Sequence, residues 1–407
     1  MLDILLLFAA GMTLGVLAGL VPGLHPNTLL VIIVSLFWLS GETNPLGALT
    51  LVVSMSVSNA IVNFIPSIFF GAPEPDSCLS VLPGHRLLME GMGYEALFLT
   101  VAGGVGAMLL TLAAFPFLLW SIPFIYSGIH AYMTWLLLLV LALLLWQEKR
   151  GMLLKSLAVF LISGGAGFML LSAMSSEQVL FPAFSGLFGI SLSLGSIMQS
   201  ASLPPQKKIR RIECRWMKGA LAGWLAGLFV GILPGIGPAQ AGVLASRAVR
   251  GNERDFLVSL GGISTSNIVF TFIALHVLGK TRSGAAWALS EILGGITAGE
   301  VYFMLLIATL SCFLSSIITL RLGSGFLKAV ERMDYRKMNL GVVVVVFSLV
   351  ALLSGLSGVM IMSLTALMGL SCAYLGVKKM YMMGFLLLPT MLYYSGLAVP
   401  ALVLLGL

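Results

Sequence analysis

Six glycine and proline positions recur in this chain at a single constant offset. Gly11, Gly15, Gly19, Pro22, Gly23 and Pro26 are matched in the second half by Gly223, Gly227, Gly231, Pro234, Gly235 and Pro238. Both copies lie in apolar sequence, and a pattern kept at six positions points to a duplicated chain. Each copy joins small residues four apart, which let helices approach closely, to a Pro-Gly pair that removes a backbone hydrogen bond and permits unusual backbone angles. In lipid, backbone freed in this way must face protein or a water-filled cavity, as at the broken helices of transporters.

The chain around the repeat is 59% hydrophobic and only 9% charged, against roughly 25% charged residues in soluble domains. Its mean hydropathy is +1.07. Apolar runs such as Ala96–Trp120, Ala131–Trp146, Ser156–Ser172, Val179–Ser200 and Gly341–Leu356 approach or reach the roughly 20 residues that span a bilayer. The expected class is therefore an all-α polytopic membrane protein, placed in the plasma membrane. Met1–Leu20 lacks a basic n-region and a small-residue cleavage site and reads as retained. The four cysteines, Cys78, Cys214, Cys312 and Cys372, are isolated, which indicates neither a disulfide framework nor a metal site.

The net charge of +7 is a matter of topology, because the basic residues sit in short loops between apolar spans. The clusters Lys149–Lys155, Lys207–Lys218, Arg247–Arg254, Arg321–Lys337 and Lys378–Lys379 alternate with loops free of Lys and Arg at Ser121–His130, Ala173–Val179 and Ser354–Gly358. With each half read as a re-entrant broken-helix hairpin plus about five crossings, 20 of the 22 basic residues fall on the cytoplasmic side, leaving Lys280 and Arg282 outside. Equivalent loops of the two halves then lie on opposite sides of the membrane, as expected of inverted-topology repeats. The expected organisation is an N-terminal repeat, 1–200, a basic cytoplasmic linker, 201–218, and an inverted C-terminal repeat, 219–407.

A second match supports the duplication. Ser56, Ser58, Asn59 and Phe64 recur, again at one constant offset, as Ser264, Ser266, Asn267 and Phe272. Further along, Ala96-Leu97 and Gly103-Gly104 roughly match Ala288-Leu289 and Gly294-Gly295.

These motifs supply the candidate site. A helix that restarts after the Pro-Gly break has free N–H groups and a positive dipole end, a natural place for an anion. The candidate substrate-binding residues there are Pro22, Gly23, His25, Pro26, Asn27 and Thr28, with Pro234, Gly235, Gly237, Pro238 and Gln240 in the second half. Asn59, Asn63, Asn267 and Thr271 join them, because such side chains are costly to leave unpaired in lipid, although they serve equally as helix-to-helix bonds. Ser58, Ser266 and Glu291 are candidates for ion coupling; Glu291 and Glu300 are the acids of the run Ala285–Leu320 and fit the membrane edge better. Glu74, Asp76, Cys78 and His85 could be drawn as a catalytic or metal cluster, but no HExxH or GxSxG pattern accompanies them.

The repeated GxxxGxxPGxxP motif, with Asn63-Phe64-Ile65-Pro66, Gly71-Ala72-Pro73, Pro83-Gly84-His85-Arg86 and Gly91 before Ala96-Leu97, resembles the large membrane subunit of tripartite tricarboxylate transporters. The chain is similar in particular to the shorter, stand-alone archaeal relatives. His25 stands where the family's motif usually has Gly, and Arg86 where a Gly-Tyr-Pro-like run is usual. The resemblance implies an ion-coupled importer of citrate-like or other organic anions, working with a small membrane subunit and an extracytoplasmic binding protein.

The expected function is secondary active transport of a small di- or tricarboxylate-like anion, coupled to Na⁺ or H⁺ without a further cofactor, by alternating access around the paired breaks. No P-loop occurs. The competing readings are translocation of a phosphate-headed lipid carrier, an intramembrane enzyme using Glu74, Asp76 or His85, and a non-transporting scaffold. The transporter readings make the chain no enzyme and give it no nucleic-acid partner.

Overall fold

The computed structural model describes residues 2–21, 26–40, 44–69, 81–130, 132–146, 148–198, 204–207, 216–232, 237–249, 252–330 and 335–400. Among them the chain is almost wholly helical and has no strand. The first half comprises α1 (Leu2–Leu20), α2 (Pro26–Ser40), α3 (Pro45–Val62), α4 (Phe64–Phe69), α5 (Val81–Met89), α6 (Gly93–His130), α7 (Met133–Trp146), α8 (Arg150–Ala173), α9 (Ser176–Phe184), a π-helical turn (Ser185–Ile190) and α10 (Ser191–Met198). The second comprises α11 (Trp216–Ile232), α12 (Pro238–Ala248), α13 (Glu253–Leu278), α14 (Gly284–Leu293), α15 (Ala298–Val330), α16 (Tyr335–Tyr374), a 3₁₀ turn (Lys379–Met383) and α17 (Gly384–Tyr394). Among the described residues, 8 stretches are long and apolar enough to cross a membrane. The protein is an all-α, multi-pass membrane protein.

The helix limits follow the repeat. α1 ends at Leu20 and α11 at Ile232, while α2 begins at Pro26 and α12 at Pro238, so both limits keep the offset of the glycine-proline motif. Proline suits a first helical position, where its missing N–H has no intrahelical partner to lose. α3 and α13 start after Asn caps that keep the offset of the Ser-x-Ser-Asn match: Asn44 Oδ1 accepts from Gly47 N at 3.0 Å, and Asn252 Oδ1 from Arg254 N at 3.1 Å. α12 has only 11 residues, about 16 Å of helix, roughly half of a hydrocarbon core.

Packing repeats as well. α1 lies along α3, and α11 along α13. Gly11 sits against the Leu51 carbonyl and Gly223 against that of Ser259; Gly15 meets Met55 and Ser58, and Gly227 meets Ile263 and Ser266; Gly19 meets Val62 and Asn63 N, and Gly231 meets Phe270 and Thr271 N. Every partner on α13 stands at the same offset from its counterpart on α3 as Asn267 does from Asn59. The halves then exchange contacts. α6 packs on α13, and α15 on α3; α17 packs on α8, while α9, the π-helical turn and α10 pack on α16.

Three expectations change. The loop Ser121–His130 is helical, because α6 continues through Pro116 and Pro123 to His130; a membrane helix tolerates proline where neighbours and local adjustment satisfy the freed carbonyl. The match of Ala96-Leu97 and Gly103-Gly104 with Ala288-Leu289 and Gly294-Gly295 is not kept. The first four lie inside α6, with Gly103 against the Val258 carbonyl of α13, whereas Gly294 is a turn residue at φ 68° ending α14. The glycines alike in sequence serve opposite ends, one close packing and the other a left-handed turn. Finally, α11 begins at Trp216, inside the expected linker.

The described part of that linker docks on the turn between α5 and α6. Lys207 N donates to Gly91 O at 2.7 Å, Gly93 N to Gln206 Oε1 at 3.0 Å, and Gln206 Nε2 to Leu88 O at 3.0 Å. Ion pairs join the halves beside it: Arg254 to Glu95 at 2.5 Å, and Arg86 to Glu253. Elsewhere, α16 breaks at Gly355 (φ 63°, ψ −156°), within the expected loop Ser354–Gly358. Nearby, the Tyr381 hydroxyl donates to Leu144 O at 2.8 Å and to Glu148 Oε1 at 3.1 Å, and Lys378 pairs with Glu148 at 2.7 Å. Burial, reinforced by the Glu148 charge, holds the Tyr381 phenol well above its ordinary pKa.

Candidate functional site

The two Ser-x-Ser-Asn helices, one from each half, touch. Ser264 Oγ on α13 donates to the Ala60 carbonyl of α3 at 3.0 Å. One residue away, Asn59 is 4% exposed and its Nδ2 is buried with no hydrogen-bond partner among the described residues. In an apolar interior an unmade amide hydrogen bond costs about 1–3 kcal/mol.

Asn63 stands where α3 gives way to α4. Pro66 cannot donate to the carbonyl of Val62, so the ladder is interrupted one turn before it and Asn63 falls at the junction, its own N–H still bonded to Asn59 O at 3.0 Å. Ala274 takes the place of Pro66 in the second half, and α13 runs on unbroken to Leu278. Thr271, the counterpart of Asn63, is buried and turns its hydroxyl back to Asn267 O at 2.8 Å. Asn267 is half-buried. The last glycines of the glycine helices lie against these positions, Gly19 at Asn63 and Gly231 at Thr271. The chain therefore leaves α1 beside Asn63 and α11 beside Thr271, and both partner helices meet at Ser264 and Ala60.

Other expected residues are placed differently. Ser58 faces Gly15 of α1, and its hydroxyl bonds to Ser54 O at 2.6 Å and takes a bond from Ser315 on α15 at 2.9 Å. Ser266 faces Gly227 and bonds to Gly262 O at 2.6 Å. Both hydroxyls serve helix packing in this conformation. Glu291 is exposed on α14, and Glu300 caps α15, accepting from Thr297 N at 2.7 Å. Pro26 and Pro238 are buried at the starts of α2 and α12, and Gly237 precedes α12. Pro22, Gly23, His25, Pro234 and Gly235 lie outside the described residues, as do the side chains of Asn27, Thr28 and Gln240. The same holds for Glu74, Asp76, Cys78 and the side chain of His85. Among the described residues no three His, Cys, Asp or Glu side chains cluster as a metal site would.

Residues 5–384 match the tripartite tricarboxylate transporter TctA family. The chain belongs to the TctA family. This is a family of membrane transporters, and the match runs through both halves and both glycine-proline motifs. A protein of Methanocaldococcus jannaschii, described as uncharacterised, is 28% identical over 403 residues, covering 96% of this chain and 98% of its own. No solved structure matches the chain.

Sequence reasoning missed Thr265. It is 1% exposed, its Oγ1 has no hydrogen-bond partner among the described residues, and it faces Gly104 of α6. Its position between the two serines of the repeated motif was the available signal. Also not foreseen was the placement of Lys280 and Arg282, both set over the Tyr126 ring, at 5.2 and 5.4 Å from its centroid.

Proposed function

We propose that this TctA-family protein is a secondary active transporter of a small di- or tricarboxylate-like anion in the plasma membrane, driven by Na⁺ or H⁺. The anion binds between the restarts of α2 and α12, against Asn59 and Asn63 of one half and Asn267 and Thr271 of the other. The observation that carries this is the meeting of α3 and α13 at Ser264 and Ala60 beside the unpartnered Asn59 amide. An N–H donor without a partner among the described residues suits an anion, and helices that restart after a break offer further N–H groups and positive dipole ends.

The exchange of contacts between halves supports reading them as inverted repeats about a pseudo-two-fold axis. Gly167 of α8 lies against the Phe385 carbonyl beside α17's start, and Gly369 of α16 against the Leu187 carbonyl. Such duplicated, close-packed interfaces suit rigid-body rocking of one group of helices on the other. The short α12 supports a hairpin that turns back rather than crosses. A small membrane subunit and an extracytoplasmic binding protein, which the family's name suggests, are kept as candidate partners.

The test is uptake of labelled citrate and succinate into proteoliposomes under imposed Na⁺ or H⁺ gradients, with wild type, Asn59→Leu, Gly23→Leu and Gly235→Leu. Gradient-driven uptake that all three substitutions abolish is the expected result. Uptake unaffected by Asn59→Leu would remove Asn59 from the site. No uptake of either acid by folded wild type would overturn the carboxylate assignment, and a phosphate-headed lipid would be assayed next.

A further inference from the structure

The connection between α13 and α14 is short and firmly held. Gly279, in the left-handed region at φ 61°, ends α13. Ser283 caps α14, accepting from Ala286 N at 3.2 Å. His276 Nδ1, on the last turn of α13, lies 2.7 Å from the Ile296 carbonyl just before α15. Within this link come Lys280 and Arg282, the two basic residues that the charge pattern leaves outside.

Both cations lie over one ring. Lys280 Nζ is 5.2 Å and Arg282 Cζ 5.4 Å from the centroid of Tyr126, a buried residue near the end of α6. The ring face attracts each of them, but it does not neutralise their mutual repulsion. Neither makes an ion pair among the described residues. Arg282 Nε and Nη2 are buried without a hydrogen-bond partner among the described residues. These two nitrogens form one edge of the guanidinium, the edge whose parallel N–H groups grip both oxygens of a carboxylate. Two other arginines, by contrast, have an acid: Arg254 pairs with Glu95 and Arg86 with Glu253.

We infer that Arg282, Lys280 and Tyr126 form an outer receiving site for a carboxylate of the transported anion. The site rests on the transport reading above and adds the place where the substrate is first held. Arg282 grips the carboxylate through its Nε–Nη2 edge. Lys280, exposed beside it, draws the anion in, and Tyr126 fixes both cations without competing for it.

Two measurements on the purified full chain test this. In the first, the thermal midpoint is followed against citrate and succinate at constant ionic strength, for wild type, Arg282→Gln, Arg282→Lys, Lys280→Gln and, as a control for lost charge at the other end of α15, Lys328→Gln. Stabilisation by citrate should need about tenfold or more citrate in Arg282→Gln. The shift should be smaller for Lys280→Gln and absent for Lys328→Gln. Arg282→Lys should fall between, because it keeps the charge and loses the edge. In the second, uptake from the outside should show a raised KM in Arg282→Gln with the maximal rate kept. Citrate stabilisation of wild type that Arg282→Gln retains undiminished would overturn the site while leaving transport standing. Stabilisation lost in Arg282→Gln, without uptake by wild type, would keep the site and overturn the transport reading. No stabilisation of wild type by either acid overturns the site for carboxylates. Should Arg282→Gln fail to fold, the exposed Lys280→Gln decides, and a citrate requirement equal to wild type's would overturn the proposal.

Discussion

Ser264 Oγ donates to the Ala60 carbonyl at 3.0 Å, tying α13 to α3 one residue from the buried, unpartnered amide of Asn59. The two residues come from opposite halves of the chain. Ser264→Ala removes a single interhelical bond, so its expected effect is a loss of about 0.6 kcal/mol. Asn59→Leu removes an Nδ2 that bonds to nothing among the described residues, so uptake should be lost with the thermal midpoint unchanged. A midpoint that drops steeply in Asn59→Leu would assign the amide a structural role.

Glycine positions separate by what surrounds them. Gly103 lies against the Val258 carbonyl, whereas a methyl group at Gly165 would meet nothing within 4 Å. Gly103→Ala should cost about 1–3 kcal/mol through overpacking. Gly165→Ala, in the middle of α8, should be neutral or stabilise by up to ~1 kcal/mol. Thermal unfolding in one detergent compares the two directly.

The Arg254–Glu95 pair fastens α13 to α6 across the halves, and the Glu95 side chain is only 9% exposed. Arg254→Met should therefore destabilise by about 1–3 kcal/mol, chiefly by leaving a nearly buried carboxylate unpaired. Adding Glu95→Gln should restore most of the loss, and a double-mutant cycle measures the coupling.

Alkaline pH should weaken the contact between α7 and the 3₁₀ turn. The folded pKa of Tyr381 lies above its unfolded value, because burial and Glu148 both disfavour the phenolate. The neutral phenol thus contributes its full stabilisation below about pH 10, and loses it as pH rises through the folded pKa. Wild type should lose stability above about pH 10 more steeply than Tyr381→Phe in pH-resolved unfolding.

Topology is tested by cysteine accessibility from each side of the membrane. With α2 and α12 turning back, Ser40→Cys should label from the side opposite Ser202→Cys, and Gly251→Cys from the same side. Reversal at either position would replace the hairpin with a crossing.

The amino-acid sequence alone carried the class and the offset that the paired helices keep. A charge content of 9% marks a membrane chain, and the repeated prolines lie at local helix starts, Pro26 and Pro238 opening α2 and α12. It also marked Asn59 and Asn267, since a repeated amide in apolar sequence stands out in one dimension. What it could not settle was which surface each polar or small residue meets. Ser58 and Ser266 have the same spacing as the site residues, yet they face Gly15 and Gly227 and bond to their own helices. Gly103 and Gly294 looked equivalent until one was found in a helix contact and the other in a left-handed turn. Lys280 and Arg282 read as two stray outer charges until Tyr126, from the other half of the chain, was found beneath both. Helix starts and apolar spans are local properties of the chain. The partner of a hydroxyl, the face of a glycine and the neighbour of a guanidinium depend on which helices pack together, and only the tertiary structure decides that.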